Sequence, residues 1–153
     1  MQYLIMSIQT FRQLFARDLR RLRKEIESYQ HEHKLWYTQG AIANSAGNLC
    51  LHLVGNLNTY IGATIGNSGY IRNRDAEFSL KSIAKAQLLQ QIDDTITVVD
   101  RSLEIMREEQ LNEEYPLLVF DAKTSVEFML THLAAHLSYH LGQINYHRRL
   151  LDH

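Results

Sequence analysis

Hydrophobic residues recur at three- and four-residue steps through four long stretches of the chain. That spacing keeps side chains on one face of an α-helix. The first stretch runs roughly from Ser7 to His33, with Ile8, Phe11, Leu14, Phe15, Leu19, Leu22 and Ile26 in register. Arg12, Arg17, Arg20, Arg21, Arg23 and Lys24 lie mostly between them and read as a solvated face. The second runs roughly from Gly40 to Ile65 and turns Ile42, Ala46, Leu49, Leu53, Leu57, Tyr60 and Ile61 inward. It carries Gly47, Gly55 and Gly62. A glycine inside a helix costs about 0.5–1 kcal/mol relative to alanine, so these positions predict tight packing against a neighbour. The third stretch, roughly Leu80 to Arg107, aligns Ile83, Leu88, Ile92, Ile96, Val99, Leu103 and Met106. The fourth continues to about Leu151 and opens on Thr124 with Glu127 three residues on, a capping box ahead of an apolar run.

Gly66–Phe78 joins the second stretch to the third. It starts with turn residues, continues with alternating charges and is expected to be a long ordered loop. Pro116 denies helix to the connection before the fourth stretch. Four helices with no strand pattern between them predict an all-α fold, a four-helix bundle forming one domain over residues 1–153.

Composition narrows the function. Sixteen basic and 17 acidic side chains give a net charge of −1, which argues against a dedicated nucleic-acid binder. No run of about 18 apolar residues offers a membrane span. Met1–Met6 is apolar but lacks a basic leader region and a cleavage site, and is expected to start the domain. The single cysteine, Cys50, forbids an intramolecular disulfide and points to a reducing compartment; it reads as a small buried hydrophobe. Eight histidines call for a chemical explanation.

His132, His136 and His140 repeat every four residues along the fourth stretch. Imidazoles at that spacing can converge on one ion at about 2.0–2.1 Å. Three in a row cannot, because the outer two stand about 12 Å apart along the axis. Counted from the apolar face, His140 lies about 40° away, His136 about 80° and His132 about 120°. The pair His136/His140 is therefore the one nearer the interior. His147 shares that phase but lies about 10 Å beyond His140. His52 in the second stretch offers a third imidazole, though about 120° from the apolar centre of its own helix. Glu-x-x-His and His-Glu-x-x-His are absent, as are zinc-finger cysteine pairs, Gly-x-Ser-x-Gly and a P-loop.

His52 followed by Gly55-Asn56, the loop Gly69–Phe78, and His136-x-x-x-His140-x-Gly142-Gln143-Ile144 together resemble the DinB-like (YfiT-like) superfamily. The resemblance covers nearly the whole chain. It implies a four-helix bundle that holds a divalent metal ion (Zn, Ni or Fe) through His52, His136 and His140. It also implies a bacterial, cytoplasmic setting and a homodimer. Some members of that superfamily are thiol-dependent transferases.

A three-histidine site leaves a coordination position open, which suits a metal-dependent hydrolase or thiol transferase acting on a small-molecule substrate. The alternatives are a non-catalytic metal-binding stress or interaction protein and a haem-type bundle using two of the histidines. Arg72 and Arg74 either add positive charge near the metal or pair with Asp75 and Glu77. Asn56 and Gln143 either orient ligands or bond between helices.

Overall fold

In the computed structural model, which describes residues 7–153, five α-helices and no β-strand are present among the described residues. They are α1 (Ile8–Glu27), α2 (Ala46–Leu57), α3 (Arg74–Ser79), α4 (Lys85–Glu104) and α5 (Val126–Leu151). The expectation for Met1–Met6 lies outside the described residues. α1 packs along α4 and α5, while α2 packs on α4 and α5 with α3 laid against it. Phe11, Phe15, Leu19, Leu22 and Ile26 of α1 meet Leu53, Leu57, Leu88, Ile92, Leu103, Leu130, Leu133 and Leu137 in one buried cluster. No helix among the described residues is long and apolar enough to cross a membrane.

Helix ends depart from the periodic pattern, and local bonds explain where. α1 stops at Glu27 instead of running to His33 because Tyr29 turns into the core, where its hydroxyl donates to His147 Nδ1 at 2.7 Å. The Asp152 carboxylate then takes the backbone N–H groups of Gln30 and His31 at 2.7 and 3.0 Å. α2 begins at Ala46 because Ser45 caps it, its hydroxyl accepting from Asn48 N, and Gly40 upstream has φ +58°. The cap of α5 is Ser125, whose hydroxyl accepts from Phe128 N; the capping box placed on Thr124 is one residue early.

Two features were not expected. Gly66–Phe78 is not loop throughout: Asn73 accepts from Ala76 N and opens α3 inside it. α2 also passes directly into a wider π-helical turn, Asn58–Ala63, where the Asn58 amide donates to Val54 O and to Thr95 Oγ1 on α4. Every residue of α2 is buried. A helix enclosed on all sides has no single inward face, so the phase argument that set His52 aside from its helix's apolar centre does not decide its burial.

Candidate metal centre

His52 stands in the middle of α2, and His136 and His140 stand one turn apart on α5. Their ring nitrogens converge. His136 Nε2 lies 3.2 Å from His52 Nε2 and 3.1 Å from His140 Nε2. One ligand atom from each of the three residues falls within 4.8 Å of the others. Nitrogens bound tetrahedrally at 2.0–2.1 Å would be about 3.3 Å apart, so the spacing of the two close pairs is that of a shared ion.

Outer partners fix the ring tautomers of two of these residues. His52 Nδ1 is 3.0 Å from Glu77 Oε1, and a carboxylate can only accept, so the proton is on Nδ1 and Nε2 presents a bare lone pair. His140 Nδ1 stands 2.7 Å from Gln143 Oε1, which orients that imidazole the same way. Ligand imidazoles are characteristically held like this, because the outer acceptor raises the donor strength of the metal-facing nitrogen. His136 Nδ1 is buried and has no hydrogen-bond partner among the described residues.

Glu77 is the residue that the sequence reading missed in this role. It sits on α3, 5% exposed, and its second interaction is a two-point pair with Arg72: Nε to Oε2 at 2.7 Å and Nη2 to Oε1 at 2.9 Å. Arg72 Nη2 also approaches His52 Nδ1 at 3.4 Å. Since both are donors, that approach reflects a shared carboxylate rather than a bond between them. Gly55 makes the arrangement possible, because a Cβ there would collide with the Glu77 carboxylate. A glycine three residues after His52 was thus the available signal: what approaches it closely is an acidic side chain, not a helix backbone.

Asn48 anchors α3. Its amide donates to the carbonyls of Glu77 and Leu80 at 2.9 and 2.8 Å, and its oxygen accepts from Ser45 and Lys81. Replacing Asn48 by alanine leaves two carbonyls at the end of α3 without donors and is expected to cost about 1–3 kcal/mol. Urea denaturation measures this, and hydrogen exchange of Glu77–Leu80 should rise more than that of α4.

The remaining histidines separate cleanly. The His132 ring lies 6.0 Å from that of His136 but does not join the converging nitrogens. His147 bonds through Nδ1 to Tyr29 and through Nε2 to Tyr37 O at 2.8 Å, so both nitrogens serve the fold. Arg74 lies over the Phe78 ring, and Phe78 in turn packs 5.1 Å from the His52 ring. Cys50 is fully buried and burial pushes its thiol up to about 12, which makes it a hydrophobe.

The electrostatics favour neutral imidazoles at His52 and His136. Burial, then the neighbouring His140, His52 and His132 and the Arg72 guanidinium, push the His136 imidazole down from 6.5 to about 4. Burial also lowers His52, against the pull of Glu77. In metal-free protein a group that resists protonation when folded, yet titrates at 6.5 when unfolded, makes the fold weaker in acid. The stability carried by neutral His136 is complete above pH 6.5 and is lost as pH falls toward 4. Denaturation midpoints across that window should fall for the native chain and fall less for His136→Gln; equal slopes would assign the titration elsewhere.

A model for a family described as "Protein of unknown function (DUF1572)" matches residues 1–153. No curated protein matches the chain, and no solved structure matches it.

Proposed function

Given that the chain belongs to the DUF1572 family over its whole length, we propose that it is a single-domain, DinB-like four-helix bundle in which His52, His136 and His140 bind one divalent metal ion. The observation that carries this reading is the convergence of three Nε2 atoms, two of them held lone-pair-inward by Glu77 and Gln143. Three such atoms facing one another in a half-buried site have little reason to meet except around a cation.

When bound, the ion supplies Lewis-acid polarisation to a small molecule at the coordination position that three protein ligands leave open. The chain's own residues do the rest. Glu77 holds the His52 proton at Nδ1, and Arg72 neutralises the carboxylate so that it does not remove that proton. Gln143 does the same for His140 without adding charge. The ligand set is therefore neutral, the centre keeps a charge of about +2, and an anionic group of the substrate is favoured over a neutral one. This suits a hydrolase or a thiol transferase.

Homodimerisation belongs to the same reading. Phe128, Tyr139, Tyr146 and Leu150 are exposed, and their spacing sets them within about 40° of one another around α5.

Elemental analysis of protein purified without chelator tests the central claim. About one equivalent of a first-row metal per chain supports it, and a content below a tenth of an equivalent, with no uptake of added Zn²⁺ or Co²⁺, overturns it. Screens of ester and amide hydrolysis and of thiol conjugation then separate an enzyme from a metal-binding protein without turnover.

A further inference from the structure

Two of the converging imidazoles have an acceptor for their Nδ1 proton, and the third has none. His136 Nδ1 is buried without a partner among the described residues. Asn56 shows the opposite deficit: its Oδ1 is a buried acceptor without a donor among those residues, and the side chain belongs to a residue only 7% exposed. A buried polar atom left unpaired costs about 1–3 kcal/mol, so each such atom calls for an explanation.

Helix geometry brings the two to one level. The hydroxyl of Tyr115 donates to Tyr60 O, just past the end of α2, and Tyr115 N donates to Thr124 O, just before α5. At the other end, Leu49 shares a cleft with Gln143, His147 and Leu150. The two helices are therefore antiparallel, and one turn forward from His52 on α2 is one turn backward on α5. Asn56 stands one turn forward from His52, on the same face, and helical side chains lean toward their own N-terminus, here back toward the His52 ring. His136 is the N-terminal member of the α5 pair, and its ring lies 5.1 Å from that of His52.

We propose that Asn56 is the outer acceptor of His136, its Oδ1 taking up the Nδ1–H through one buried water. This rests on the metal-binding reading and deepens it. A water between a ring N–H and an amide oxygen has the polar partners that internal waters require. The set is then complete: a carboxylate orients His52, one amide orients His140 and a second amide orients His136. Asn56 is a positioning residue. It holds the His136 proton on Nδ1 and leaves Nε2 bare for the ion.

The test uses Co²⁺ as the probe and three variants: Asn56→Leu, which keeps the branched shape without the acceptor, Asn56→Ala as a smaller side chain should leucine prevent folding, and Asn56→Asp, which restores an acceptor. Loss of the acceptor should weaken Co²⁺ binding by about 10–100-fold, the range for lost outer partners, and Asn56→Asp should recover most of it. In the Co²⁺-loaded native chain each ligand imidazole should give one solvent-exchangeable, hyperfine-shifted N–H resonance. Removing the acceptor should broaden one of the three resonances and spare the other two. If the leucine and alanine variants bind Co²⁺ as the native chain does and keep all these resonances sharp, the proposal is overturned while the metal site stands. If the native chain takes up no Co²⁺, the metal reading falls and this proposal falls with it.

Discussion

Exchanging His136 for alanine is expected to weaken metal binding severely while leaving the helices folded. His136 is the central member of the set, with its Nε2 3.2 Å from that of His52 and 3.1 Å from that of His140. A four-ligand zinc site is worth about 10–16 kcal/mol, hence about 2.5–4 kcal/mol per ligand. Losing one ligand should weaken affinity by about 10²–10³-fold. Titration with Zn²⁺ in competition with a chelator measures this directly. Thermal melting gives a second readout: the native chain should gain stability with added Zn²⁺, as any ligand selective for the folded state requires, and the variant should gain far less. Equal gains in both would show that the ion sits elsewhere.

Glu77→Ala should damage both stability and metal affinity. The Arg72 side chain is 13% exposed and that of Glu77 is 6% exposed, so the pair is taken out of water together. Removing one member strands a largely covered guanidinium, a change that costs up to about 3 kcal/mol. It also frees the His52 Nδ1–H, which should lower metal affinity by about 10–100-fold. Glu77→Gln separates the two effects: an amide oxygen can still accept from His52, but Arg72 loses its counter-charge. The glutamine variant should therefore bind metal closer to the native chain than the alanine variant does, while remaining destabilised. Denaturation curves and chelator competition on both variants check this. Unchanged affinity in Glu77→Ala would remove Glu77 from the site.

The all-helical class and much of the core were legible because burial leaves a periodic trace. Ile8, Phe11, Phe15, Leu19, Leu22 and Ile26 follow the helical step, and all are buried. The pair His136 and His140 was legible because four-residue spacing fixes where two rings can point, whereas His52 joined them only through the family resemblance, its phase having pointed away from its helix's apolar centre. Glu77 was not legible in its role. A charged residue among charges has the same appearance whether it meets water or a buried ring, and only the chain path from Asn73 to Leu80 brings it to His52. Helix ends were misplaced where tertiary bonds stop them, as Tyr29 and Asp152 do for α1. The phase count for His52 assumed a helix with a wet side, and α2 has none.

His52 and His136 are 84 positions apart in sequence. A cation shared between them would act as a reversible crosslink closing that length of chain, in a polypeptide whose single cysteine rules out a covalent equivalent. Pinning a loop of about 100 residues removes roughly 4.7 kcal/mol of freedom from the unfolded ensemble in the chain-entropy picture. Such an ion would thus tie α2 to α5, coupling the durability of the protein to the supply of metal around it.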